Sequence, residues 1–314
     1  MLSHVIDMPR SEKYAHWIGK LSNLNAAWTE ARGTAPHKPL MLLTIIDLIE
    51  NGDFSDGWVK YDVRIVSRFR DYWELVRERQ RNQPDIPMPF HALGGHRDQI
   101  WQRFTSEGQP SKAKATTRLC FISPDLFSCL QDPDFRSEAR EALVLRYFTA
   151  SEQVMLCSRL GLSMPSTCDV DALRKRADEF KARQKKGRDS RFKSDVLSGY
   201  YFTCALTGYR LDTETSSIVQ ACHIHEHSKS GNDDPRNGLA LTPDAHWMFD
   251  AGLWTAVPEG NGYRVKVSRG RFDETPGHIR GLSTYDGGQL CFHSEAKLRP
   301  LSKHLDWHRK YHGI

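Results

Sequence analysis

No two cysteines of this 314-residue chain are spaced as C-x-x-C. The seven present (Cys120, Cys129, Cys157, Cys168, Cys204, Cys222 and Cys291) are odd in number and scattered. That pattern argues against a disulfide framework and a cysteine-rich zinc site, and it predicts mostly reduced thiols, several buried as small apolar residues. Long apolar runs are missing too. The longest, Pro39–Ile46, falls well short of the roughly 20 residues that cross a bilayer, so no membrane role is expected. The first residues lack the basic-then-apolar run of a signal peptide, and a cytoplasmic protein is expected. There are no internal repeats or low-complexity tracts.

What remains is the composition of a soluble globular protein: 39% hydrophobic, 10% aromatic, mean hydropathy −0.58. The length allows two domains, each with its own core. Net charge is only +5, which permits nucleic acid without requiring it. Its distribution says more. Arg174–Lys193 holds ten Lys/Arg against three Asp/Glu, a local +7. Arg183, Lys185, Lys186, Arg188 and Arg191 in this stretch are candidate phosphate contacts, because neutralisation by Lys and Arg dominates sequence-independent DNA affinity. A solvated helical linker explains the same charges equally well.

Texture divides the chain into residues 1–165, a basic helical linker over 166–198, and a second domain over 199–314. In the first, Ser11–Ala31 and Pro39–Glu50 read as helices, the latter stopped by Asn51-Gly52. Gly57–Val66 reads as a short strand leading into an amphipathic helix, Gln83–Gly95 as a Pro/Gly loop, and Pro124–Leu130 and Asp134–Phe148 as helices. A helix-rich, winged-helix-like module is expected. Asp169–Leu197 reads as helix interrupted near Gly187, and Tyr200–Cys204 as the start of short strands and turns.

The chemistry is concentrated in V-Q-A-C-H-I-H-E-H from Val219, R-N-G-L-A-L from Arg236 and T-P-D-A-H-W-M-F-D-A-G from Thr242. Alternation predicts a strand at Val219–Ile224, a turn-rich loop at Ser228–Asn237 and a second strand at Leu239–Leu241. A helix follows, N-capped by Thr242 and ended by Gly252. His246 and Asp250, four residues apart, share a helix face and are placed to bind one cation, with His223 facing it from the strand end. Phosphodiester hydrolysis needs a base for water and a cation for the developing charge, and imidazole suits the first near neutral pH. Trp247 and Phe249 read as core.

His223, Asn237 and His246, spaced by 14 and 9 residues, resemble the signature of HNH (ββα-metal) endonucleases. The resemblance implies His223 as general base, Asn237 as the residue holding that base and its loop in register, and His246 with Asp250 as metal ligands. It also implies a divalent cofactor, Mg²⁺ or Mn²⁺ with Co²⁺ or Ni²⁺ as alternatives. Family members often place Asp or His immediately before the base as a further ligand. This chain has Cys222, a poor partner for Mg²⁺. The closing tail from Leu298 and Arg191-Phe192 resemble McrA-like, modification-dependent members, so that the likeness covers residues 190–312.

In the first domain, A-P-H-K-P-L-M-L-L from Ala35 and M-P-F-H-A-L from Met88 resemble the sulfur-binding domain of phosphorothioate-dependent restriction endonucleases. This implies Met88, Pro89 and Phe90 as an apolar depression for sulfur, with His37, Lys38 and His91 as nearby donors. Arg68, Arg70, Arg77, Arg79 and Arg81 suit a phosphate-binding face or a solvated helix face.

The expected protein is α+β: a winged-helix-like reader of modified double-stranded DNA followed by an HNH nuclease, hence a type IV restriction enzyme. Cutting two strands with one site suggests a homodimer. Two alternatives stand beside it. A reader of 5-methyl- or 5-hydroxymethylcytosine could use Trp73, Trp101 and Phe104 around a flipped base. A catalytically dead DNA-binding regulator is suggested by Cys222.

Overall fold

The computed structural model describes residues 9–80, 83–275, 277–278, 281–292 and 297–314. The chain forms two compact units, residues up to Arg188 and Asp189–Ile314.

The first unit begins with α1 (Arg10–Leu21), the short hairpin β1 (Trp28–Thr29) and β2 (Gly33–Thr34), and α2 (His37–Glu50). The predicted first helix is thus ten residues shorter at its end than Ala31, because Ser22-Asn23 close it and Gly33 at φ 64° turns the hairpin. Helix α2 is apolar around its whole circumference and buried from Lys38 to Ile49, the mark of a central core helix. It is followed by β3 (Trp58–Lys60), α3 (Val63–Val76), α4 (Pro87–Ala92), β4 (Trp101–Phe104) and β5 (Leu119–Ile122). The strands form an antiparallel sheet in the order β3-β5-β4, with Trp58 opposite Phe121 and Trp101 opposite Ile122. The loop expected over Gln83–Gly95 contains α4. Pro87 sits at its first position, where a missing N–H costs nothing.

Helices α5 (Pro124–Leu130), α6 (Pro133–Tyr147) and α7 (Ala150–Leu160) complete the core, and α8 (Cys168–Arg174) packs Val170 and Leu173 on Val154 of α7 in a smaller cluster. One carboxylate ties four helices together. Asp47 of α2 meets Arg68 and Tyr72 of α3, Arg140 of α6 and Arg159 of α7. Burial pushes its carboxyl upward, but the three guanidiniums and the Tyr72 hydroxyl together hold it below the usual carboxylate range. Arg68 therefore belongs to the core and not to a phosphate-binding face.

Helix α9 (Ala177–Gly199) carries the chain out of the first unit. The break expected near Gly187 falls instead at Lys175-Arg176, and α9 runs straight through Gly187. A Cβ there would stand 2.2 Å from the Met155 carbonyl oxygen, so the glycine permits close packing on α7.

The second unit contains β6 (Gln220–His223), the single turn α10 (His227–Ser230), β7 (Gly238–Leu241), α11 (Pro243–Asp250), the hairpin β8 (Trp254–Glu259) and β9 (Gly262–Val267), and α12 (Ser302–His312). Strands β6 and β7 are antiparallel, with His223 opposite Gly238. Gly252 at φ 66° ends α11, as its position predicts. Tyr200–Cys204, where short strands and turns are expected to begin, contains a turn with Tyr201 and Phe202 at φ 52° and 54°. All seven cysteines are free and five are buried. Cys204 Sγ accepts the Thr242 N–H at the start of α11, a structural use for a lone thiol. No helix among the described residues is long and apolar enough to cross a membrane.

Candidate active site

The β6–β7 hairpin and α11 bring His223, His246 and Asp250 to one cleft of about 390 Å³, which His227 also lines. His223 ends β6. Its ring lies against Phe192 of α9, centroids 3.6 Å apart and planes 6° from parallel. Its Nε2 is buried, has no hydrogen-bond partner, and stands 3.7 Å from Asp233 Oδ1. Burial lowers the imidazole pKa to about 4, with His227 adding to the shift and the Asp233 carboxylate opposing it. At neutral pH the ring is uncharged and its lone pair is free to take a proton.

Asn237 is fully buried and latches the loop that leaves His223. Its Oδ1 accepts from the His225 N–H, and its Nδ2 donates to the carbonyls of His225 and Asn232, at 2.9, 2.9 and 3.2 Å. The Asn237 carbonyl also accepts from the Ile224 N–H at 2.9 Å. Every one of these bonds is to backbone, so the amide holds loop geometry and does not face the cleft.

His246 and Asp250 lie one turn apart on α11, Nε2 to Oδ2 3.4 Å. His246 Nδ1 faces Gln220 Oε1 at 3.3 Å. The structure adds Cys222 to this pair. The ligand atoms of Cys222, His246 and Asp250 all lie within 4.8 Å of one another. Without a cation the buried thiol is held protonated, its pKa pushed well up by burial and by Asp250, and Sγ donates to Asp250 Oδ1 at 3.8 Å. A set of one sulfur, one imidazole and one carboxylate fits a borderline divalent cation such as Zn²⁺, Co²⁺ or Ni²⁺ better than Mg²⁺. Binding would displace the thiol proton.

Trp247 is 68% exposed and not core, because it lies on the open face of α11 with Pro243 and Asp250. Phe249, 1% exposed, packs inward as predicted. The motif reading gives Gln220 and Asp233 no part at the site, and it names Phe192 only as part of the entering helix, not as a partner of His223.

The first unit distributes its candidates unevenly. Phe90 is fully buried, its carbonyl accepting from Trp101 Nε1, and Pro89 is buried beside it, so neither forms a surface depression. Met88 is half-buried. Lys38 is buried, with Nζ on Asp98 Oδ2 and the Asn25 carbonyl at 2.5 and 2.6 Å, and is committed to the fold. The His37 ring packs on Trp73, centroids 4.9 Å apart. His91 remains at the surface between Thr117 Oγ1 and Arg103 Nη1, at 2.7 and 2.8 Å. Trp73 and Trp101 are core residues, 4% and 3% exposed, unlike the walls of an open base pocket.

Arg70 and Arg77 are exposed, while Arg81 and the Arg79 side chain lie outside the described residues. On α9, Lys185, Arg188 and Arg191 are exposed and Lys186 is half-buried. Arg183 pairs with Glu179 at 3.1 Å, and Arg191 with Asp195 at 3.5 Å.

This hairpin–helix arrangement coincides with a family match. Residues 204–256 match the family model described as HNH endonuclease, so the second unit carries an HNH endonuclease domain. Among solved structures, one titled "Modification dependent TagI restriction endonuclease" is similar at 20% identity and a TM-score of 0.29, covering 38% of this chain. The chain spans 36% of the length of that one, and a TM-score this low does not define a shared fold. No curated protein matches.

Proposed function

We propose that the protein is a divalent-metal-dependent DNA endonuclease of the restriction type, acting on modified double-stranded DNA. The observation that supports it most is the convergence, in one cleft, of a neutral buried imidazole at His223 and the three-ligand cluster Cys222, His246 and Asp250. His223 Nε2 takes the proton of an attacking water. Asn237 keeps the loop behind His223 in register through its backbone bonds. Phe192 fixes the ring plane, so that the lone pair keeps one direction. A cation held by Cys222, His246 and Asp250 supplies charge stabilisation at the phosphate and leaving oxygen.

The first unit is the proposed reader. Phosphorothioate is the modification its sequence resemblance favours, with Met88, His91 and Arg103 as the surface groups that stand for it. The buried state of Trp73 and Trp101 speaks against a flipped-base reader. Cutting both strands calls for two copies of the site, hence a homodimer on DNA.

The test is a panel of matched plasmids (phosphorothioated, methylated, hydroxymethylated and plain) with Mg²⁺, Mn²⁺, Co²⁺, Ni²⁺ and Zn²⁺. Cleavage of the phosphorothioated plasmid, better with Mn²⁺ than with Mg²⁺, is expected. His223→Ala should lower the rate by about 100-fold or more while DNA binding persists. Cys222→Ser should narrow the gap between Mg²⁺ and Mn²⁺. No nicking of any plasmid with any metal would overturn the nuclease reading in favour of a DNA-binding regulator.

A further inference from the structure

Among the described residues a second group of metal-type donors shares no member with the first: Asp189 of α9, His227 at the start of α10 and Asp233 in the loop before β7. Their ligand atoms also lie within 4.8 Å of one another. His227 Nε2 is 3.2 Å from Asp233 Oδ1, and His223 Nε2 approaches the same oxygen at 3.7 Å. Donors bound at 2.0–2.2 Å around a tetrahedral ion stand about 3.3–3.6 Å apart. The two imidazole–carboxylate distances therefore bracket the edge of such a tetrahedron. The nitrogen of His223 that points there is buried and has no hydrogen-bond partner.

We infer that Asp189, His227 and Asp233 form a second, inhibitory cation site for zinc-like ions, which takes His223 Nε2 as its fourth ligand. Two imidazoles and two carboxylates neutralise a divalent charge and suit Zn²⁺ or Co²⁺. Mg²⁺, which prefers six oxygens, is poorly served. A nitrogen whose lone pair is bound to a cation cannot accept a proton from water. Filling this site thus withdraws the base while leaving Cys222, His246 and Asp250 in place. The inhibitory consequence rests on the proposed role of His223; the ion site itself does not.

Cobalt(II) titration of the full chain tests the site without reference to cleavage. Two equivalents are expected. One carries a sulfur-to-cobalt charge-transfer band that Cys222→Ser removes. The other lacks that band, disappears in the double variant Asp189→Asn/His227→Gln, and weakens by about tenfold or more in His223→Ala. In Mn²⁺-supported cleavage, added Zn²⁺ should suppress the wild type and spare the double variant. A double variant that binds as many ions as the wild type overturns the site. An unaltered second equivalent in His223→Ala, or equal Zn²⁺ inhibition of wild type and double variant, overturns the inhibitory role. If the stoichiometry falls as expected but the wild type cuts no DNA, the ion site stands and the nuclease reading fails.

Discussion

The His223 imidazole lies flat on the Phe192 ring, 3.6 Å between centroids, so that one side of the imidazole is covered by an aromatic face from α9. Such a stack is worth about 0.5–1.5 kcal/mol beyond burial. Phe192→Leu keeps an apolar side chain, smaller by three carbons, and removes the flat face. A fall in kcat of up to about tenfold is expected, with KM unchanged. The loss of folding stability should stay below about 1.5 kcal/mol, measured by urea unfolding beside single-turnover cleavage.

Asn237 makes three buried bonds to the backbone of its own loop. Asn237→Ala leaves an amide hydrogen and two carbonyls without that partner, at a cost of about 3 kcal/mol in unfolding free energy. Asn237→Asp retains the acceptor for the His225 N–H but turns a donor toward two carbonyls into another acceptor. It should be no more stable than the alanine variant at neutral pH. Denaturant midpoints compare the two directly.

Gly187 offers a case where two effects oppose. Alanine gains about 1 kcal/mol over glycine in a helix interior. Its Cβ would stand 2.2 Å from the Met155 carbonyl oxygen and 2.9 Å from Ser158 Cβ, and displacing packed backbone costs about 1–3 kcal/mol. Net destabilisation is expected in chemical denaturation of Gly187→Ala. A more stable variant would mean that α9 does not press on α7.

His308 of α12 is buried, with Nδ1 on Thr255 Oγ1 and Nε2 donating to the Phe249 carbonyl, both at 3.1 Å. Burial lowers its pKa to about 4, with His312 and Arg309 adding to the shift against the pull of the Phe249 carbonyl. The unfolded chain thus binds this proton more readily than the native one. Stability conferred by the neutral ring is complete above pH 6.5 and is lost progressively as pH falls toward 4, by about 3 kcal/mol in all. His308→Gln should flatten that part of the stability–pH curve in urea titrations.

The nuclease elements were readable because their logic is local. Strand alternation, the Thr242 cap and the four-residue spacing of His246 and Asp250 all act within one element. Partners supplied from afar were not. Phe192, which stacks on His223, and Asp189, which stands near His227 and Asp233, come from α9, more than thirty residues before His223, and no spacing rule connects them. Cys222 was read as a departure from a pattern, whereas in three dimensions its sulfur stands with the two expected ligands. Charge misled in the first unit: Arg68 and Lys38 looked like surface cations until Asp47 and Asp98 were found beneath them. The helix at Pro87–Ala92 was hidden by prolines, which favour a first turn as readily as they break a later one.

Asp47 serves guanidiniums from three helices while lying on a fourth. Detaching any one of those helices would strand ionised groups in an apolar interior, a penalty of several kcal/mol. The first unit is thereby wired as an all-or-nothing block: a fragment ending before Arg159 keeps most of its apolar residues yet loses a counter-ion, and has no graded, partly assembled form to fall back on.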